Sequence, residues 1–166
     1  KTENKIGNFK IEILKAYTPI FFDNYRKLLC IFSAFQLIKI LTAESQKNLK
    51  IYNLIQNFYT FLENENWIKD YIFWELEFFK VIGYDLELKN LVKKELINNE
   101  VKYFVKSTKE NKIVPNFLID NNQDFLNEEI LIDGLRLVGD YLEKSILEPN
   151  NISYPLNRLR FLNTFK

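Results

Sequence analysis

Histidine and methionine are absent from the 166 residues, cysteine occurs once and glycine four times. Without histidine there is no Ser–His or Cys–His relay, no imidazole metal ligand, and no side chain whose ordinary pKa lies between about 5 and 8. The lone Cys30 excludes an intrachain disulfide and any multi-cysteine zinc site. The missing methionine leads us to expect that Lys1 is not the biological start, a leader or upstream segment having preceded it. An excess of one charge is also lacking: 23 basic side chains stand against 22 acidic ones. A net charge of +1 gives no global electrostatic case for nucleic acid, membrane surface or acidic substrate. The polar N-terminus has no apolar h-region, so no secretory signal is read. The most apolar stretch, residues 28–38, is 11 residues long and contains Gln36. A membrane span needs about 20, so this stretch reads as a buried helix. A soluble, cytoplasmic protein with no membrane partner is expected.

What is present argues for a packed core. Hydrophobic residues make up 47% of the chain, enough for one domain of this length and too many for disorder. Lysine outnumbers arginine 19 to 4, and Asn and Ile are abundant, which reads as AT-rich codon usage with no functional meaning. Residues 5–14 alternate, with Phe9, Ile11 and Ile13 on one face and Lys10 and Glu12 on the other. That is a strand signature, yet no second strand follows nearby and a lone strand is unstable. We therefore expect residues 1–15 to hold the last strand of a sheet whose other strands lie upstream.

Helical periodicity dominates the rest. Thr18 as N-cap and Pro19 in the first turn open a first helix, in which Ile20, Phe21, Tyr25, Leu28, Phe32, Phe35 and Ile38 recur as apolar positions through Leu41. A second helix is expected from Thr42 through Leu62, and a third from Asn66 to Ile82 with Gly83 ending it. A short helix is expected around residues 88–96. Two β-type runs, 101–106 and 112–114, flank a polar turn, giving a hairpin over about 101–115. A fourth long helix spans 127–147, closed by Pro149, and a final short one, capped by Ser153, spans 153–165. The fold class is mainly α: a bundle-like helical domain over 16–166 with a small β-hairpin insertion.

The third helix carries two adjacent stripes: Trp67, Tyr71, Trp74 and Phe78, and beside them Ile68, Ile72, Glu75, Phe79 and Ile82. A helix apolar over so much of its girth is central, and its aromatics read as core. Glu75 interrupts the second stripe. A buried carboxylate costs several kcal/mol unless paired or protonated, so an arginine is expected to reach it, Arg158 or Arg136. The competing reading makes Glu75 a general acid, but no second carboxylate stands at a spacing that suggests a dyad. In the hairpin region Lys102, Lys106, Lys109 and Lys112 interleave with Tyr103 and Phe104. That mixture suits phosphate contact and base stacking on a single strand, and it also suits an ordinary solvated hairpin. Cys30 sits in an apolar run as a small hydrophobe. Gly134 and Gly139 are read as sites of close helix approach. No phosphate loop, metal cluster or nucleophile elbow is found, so no cofactor and no catalytic residue is assigned.

Two stretches resemble the bacterial RecO family. Residues 67–88 read W-I-K-D-Y-I-F-W-E-L-E-F-F-K-V-I-G-Y-D-L-E-L, similar to the family's W-x3-Y-x2-W-E-L…L-G-[FY]-G-L-D-L segment. From residue 114 to 162 the chain reads V-P-N-F-L…D-G-L-R-L-V-G-D-Y-L-E-K-S-I-L-E-P…Y-P-L-N-R-L-R-F-L, similar to L-P-x-F-L…G-L-x-L-x-G-x-F-L…L-x-P…P-x-x-R-x-R-F. The resemblance implies an N-terminal OB-fold, of which residues 1–15 would be the last strand, followed by a helical domain. It implies a DNA repair and recombination mediator, not an enzyme, that binds single- and double-stranded DNA and anneals complementary strands. Its implied partners are DNA, RecR and the single-stranded DNA-binding protein. Some relatives hold zinc with four cysteines after the G-[FY]-G-L-D-L segment, and residues 85–130 here contain none. The family's helical domain docks the acidic, Phe-ending tail of the single-stranded DNA-binding protein, which needs an apolar pocket with a basic rim. Arg136, Arg158 and Arg160 are the candidates for that rim, although Arg158 cannot both fill a buried pair and line a pocket freely. A helical interaction scaffold without nucleic-acid role is the alternative reading.

Overall fold

The computed structural model describes residues 10, 12, 13, 15–98, 100–105, 112–120 and 126–166. The alternating stretch at 5–14 falls mostly outside these residues, as do Lys106 and Lys109. The protein is mainly helical with one three-stranded antiparallel sheet.

Helix α3 (Trp67–Val81) is the axis of the fold, as its two apolar stripes demand. Trp67, Tyr71, Ile72, Trp74, Glu75, Phe78 and Phe79 are all buried. Its end is built as expected. Gly83 takes φ 97°, its N–H donates to Lys80 O, and the Tyr84 N–H donates to Phe79 O at 2.8 Å. This pair of hydrogen bonds satisfies two of the last carbonyls in a conformation that suits glycine. Helix α2 (Leu49–Phe61) packs along one side of α3, and α6 (Glu128–Tyr141) packs along another. Aromatic rings fill the α2–α3 seam. Trp74 stacks between Tyr71 and Phe78, with Phe58 tilted against it, and its indole N–H donates to Leu54 O at 2.9 Å. Residues 142–147 continue α6 with wider i→i+5 turns, and a 3₁₀ turn over Glu148–Asn150 follows.

The first helix differs from expectation at its start. Residues 18–21 form a separate 3₁₀ turn, and helix α1 is Tyr25–Leu41, capped by Asn24, whose Oδ1 accepts from the Lys27 N–H. The Asn side chain satisfies an orphan donor that Thr18 leaves untouched. Thr42 ends α1, its hydroxyl donating to Ile38 O, and Asn48 caps α2. The buried face of α1 is also a different one. Cys30, Ser33, Ala34 and Leu37 are sealed, while Tyr25, Phe32 and Phe35 keep much of their surface in solvent. Small side chains face inward because α7 (Leu156–Leu162) lies closely against α1. Helix α7 begins after Pro155, not at Ser153. Pro155 is extended at ψ 123°, and the residue before a proline avoids helical geometry.

The sheet reaches further back than expected. A short α4 (Leu88–Leu91) gives way to β1 (Val92–Ile97), which pairs with β2 (Glu100–Val105), which pairs with β3 (Ile113–Val114). The helix expected over 88–96 is thus mostly a strand. Its Lys, Glu and Leu are good helix formers, but tertiary pairing overrides that preference. Glu95 stands directly opposite Lys102, and Asn98 takes φ 54° in the turn, a conformation asparagine tolerates well. A four-residue helix, α5 (Phe117–Asp120), connects the sheet toward α6. Arg26 fastens the far end: it donates to Glu128 Oε1 at 2.6 Å and to Thr164 O at 3.0 Å, with its guanidinium 4.9 Å from the Phe165 ring.

Candidate functional sites: a sealed ion pair and a lysine-bearing sheet

Four elements bring polar groups to one point inside the core. Glu75 on α3 meets Arg158 on α7, Nη1 donating to Oε1, and both side chains are fully buried. Tyr71, one turn before Glu75, donates its hydroxyl to the same oxygen at 2.6 Å and is 3.1 Å from the Ser33 hydroxyl on α1. Tyr154 stands four residues before Arg158 and accepts from its Nε at 3.0 Å. Arg158 Nη2 donates to Leu135 O on α6. Gly139 lets α6 come this close: a Cβ there would lie 3.3 Å from the Tyr154 hydroxyl and 3.4 Å from Arg158 Nη2. The guanidinium therefore ties α3, α6 and the segment leading into α7 through directed bonds, and the Tyr71 hydroxyl extends the network to Ser33 of α1.

Electrostatics follow from burial. Loss of water pushes the Glu75 carboxyl above its ordinary 4.5, with Arg158 and the Tyr71 hydroxyl pulling the other way. Burial alone would lower Arg158, but the charge of Glu75, with Tyr71 and Tyr154, holds it above its usual value. Burial likewise pushes the Cys30 thiol and the Tyr71 hydroxyl well up, so neither offers a nucleophile near neutral pH. Solvent and substrate have no access to this carboxyl, which leaves a general acid with nothing to protonate. The arrangement is that of a structural cross-link. Among the described residues no three His, Cys, Asp or Glu side chains gather as a metal site.

Arg158 thus stands inside the core, while Arg136 is exposed on α6 and pairs with Asp133 at 3.3 Å. Arg160 is exposed on α7, one turn after Leu156 and next to Leu159, which are exposed as well. The three arginines do not form one solvent-facing rim, because the middle one is consumed by Glu75. On the sheet, Tyr103 points inward, 5% exposed, and donates to both Asp120 oxygens at 2.8 and 2.7 Å. Its ring is unavailable for stacking. Lys112 is ion-paired with Asp140 of α6. The pairing register puts Phe104, Lys102, Lys93, Glu95 and Ile113 on the other face of the sheet, opposite to buried Tyr103 and Val114. Lys106 and Lys109 lie outside the described residues. Ser33, Tyr71 and Tyr154 were not singled out for the polar network. Two of the three carry a readable signal, a tyrosine four residues before each charged partner.

No family model matches the chain, and no solved structure matches it. Similarity is found to DNA repair proteins. The RecO protein of Rickettsia canadensis is 30% identical over 136 residues, 75% of this chain and 56% of the relative. That of Rickettsia africae is 31% identical over 136 residues, 75% of this chain and 57% of the relative. That of Rickettsia felis is 34% identical over 83 residues, half of this chain and 35% of the relative. The chain is a RecO homologue, and it spans about half the length of the relatives it matches. Among the described residues no helix is long and apolar enough to cross a membrane.

Proposed function

We propose that this chain is the helical part of a RecO-like DNA repair and recombination mediator. It acts by holding DNA and partner proteins together, promoting strand annealing without turnover, in the cytoplasm. In this reading residues 1–15 belong to an upstream OB-fold, and residues 16–166 are the helical domain with the β insertion. DNA binds mainly through the upstream domain, and RecR and the single-stranded DNA-binding protein are the protein partners. The observation that carries the reading is the similarity to RecO proteins across three quarters of the chain, which coincides with a mainly helical domain built around α3. On the sheet Lys102 and Phe104 share the outer face and supply a secondary DNA contact, with Lys106 and Lys109 expected to extend it. Arg160, exposed on the same helix as the exposed Leu156 and Leu159, is the candidate of the three arginines that is free to meet an acidic tail. The scaffold reading without nucleic acid draws on Lys112 and Tyr103, both engaged by internal carboxylates.

The deciding experiment is retention of the full-length protein on single-stranded DNA across a salt series, with annealing of complementary oligonucleotides as the second readout. Retention that weakens log-linearly with salt, together with faster annealing, is expected. Absence of binding at low salt sinks the proposal in favour of the scaffold.

A further inference from the structure

A groove of about 480 Å³ lies open between α2 and α3. Its α3 wall is Asp70, Phe73, Trp74 and Glu77, positions i, i+3, i+4 and i+7 of a single helical face. Phe61 of α2 faces them, and Asn64 holds Asp70 by donating to Oδ2 at 3.2 Å. Phe61 and Phe73 are half-buried, so the floor is aromatic and still reachable. No lysine or arginine lines the groove. Asp70 and Glu77 meet no cationic side chain among the described residues. Asp70 stands in the first turn of α3, where a carboxylate also complements the helix dipole. Glu77, in the helix interior, has no such role.

We propose that this groove docks an apolar peptide segment of a partner protein that carries lysine or arginine at both ends. Seven residues of helix put the two carboxylates about 10 Å apart along α3. Three residues of a polyproline II peptide make one turn, cover about 9 Å and bring residue i+3 to the same side as residue i, so the occupant has the pattern basic–apolar–apolar–basic. The two inner side chains lie on Phe61, Phe73 and Trp74, the stems of the basic residues cover ring edges, and their charges reach Asp70 and Glu77. Nucleic acid does not fit, because its phosphates would face two carboxylates across an apolar floor. The inference goes beyond the DNA repair reading and does not depend on it.

The test uses the 166-residue chain and a fluorescein-labelled peptide, Gly-Ser-Lys-Leu-Phe-Lys-Ser-Gly, followed by anisotropy. Saturable binding is expected, at least about tenfold weaker for the Asp70→Asn, Glu77→Gln double variant. Circular dichroism is expected to show that variant folded as the parent. Any of four results overturns the proposal: no saturation up to about 1 mM peptide, unchanged affinity in the double variant, equal binding of a peptide with Ser-Ser in place of Leu-Phe, or displacement of the peptide by single-stranded DNA. Because Glu77 stands in the helix interior and exposed, Glu77→Lys alone provides a folded second variant, expected to abolish binding.

Discussion

The core around Glu75 and the outer face of the sheet use the same residue types to opposite ends. Both set a cationic side chain near an acid and an aromatic ring. In the core, Arg158, Glu75 and Tyr71 are sealed from water, and each nitrogen of the guanidinium donates one hydrogen bond, to Tyr154, Glu75 and Leu135 O. On the sheet, Lys102 and Glu95 are opposite one another but not in contact as an ion pair, and Lys102 and Phe104 are half-buried. The difference teaches where each charge spends its free energy. A buried charge is committed to holding elements in register, because releasing it would leave its partner desolvated. A charge on the sheet retains its hydration and remains available to a ligand.

Breaking one partner of the sealed pair is the severest test of this contrast. Arg158→Ala is expected to destabilise the fold by about 3–5 kcal/mol in urea titration, since Glu75 stays buried without its counter-ion. A loss below about 1 kcal/mol would mean that water reaches the pair as freely as it reaches the sheet. Next is Gly134, where a Cβ would sit 2.7 Å from Phe117 Cζ and 3.3 Å from Ile72 Cδ1. Gly134→Ala is expected to cost about 1–3 kcal/mol by overpacking, against less for Gly139→Ala, whose nearest contact is 3.3 Å. Thermal melts of the two variants read the order directly.

Acid titration separates burial from pairing. The native Glu75 carboxyl is raised above its unfolded value of about 4.5, so the folded state holds that proton more tightly. Its contribution to stability is therefore full below 4.5 and falls as pH rises through the raised native value. The stability of the parent minus that of Glu75→Gln should fall with rising pH over that window. A difference that climbs with pH would show that the attraction of Arg158 outweighs desolvation. At the small end, Lys102→Gln is expected to leave stability within about 0.5 kcal/mol while weakening the salt-dependent retention of full-length protein on single-stranded DNA. Unchanged retention would remove the sheet from the DNA surface.

The legible parts were those where a periodic pattern and an exception to it lay on one helix. Helix α3 announced itself by its aromatic stripes, its end by Gly83, and its buried charge by Glu75 amid apolar neighbours. The scarcity of arginine then left few partners to choose from. What stayed hidden depended on which neighbour a residue meets. Val92–Ile97 reads as helix by composition and becomes a strand because β2 supplies pairing. The inward face of α1 carries its smallest side chains, since the close approach of α7 cannot be read from α1 alone. Thr18 and Thr42 are plausible caps, but Asn24 and Asn48 hold those positions, and the distinction lies in backbone angles that local composition leaves open. The groove between α2 and α3 was missed because Trp74 belongs at once to the core stripe and to the stripe D-x-x-F-W-x-x-E.

The two glycines of α6 have a joint consequence. They are five residues apart, and at about 100° per residue they face directions about 140° apart around the helix. One notch receives the Phe117 ring and the other admits Tyr154 and Arg158. Turning α6 about its axis would drive backbone into one of these side chains whichever way it turned. The helix is keyed like a shaft with two slots, and a single rotational setting satisfies both.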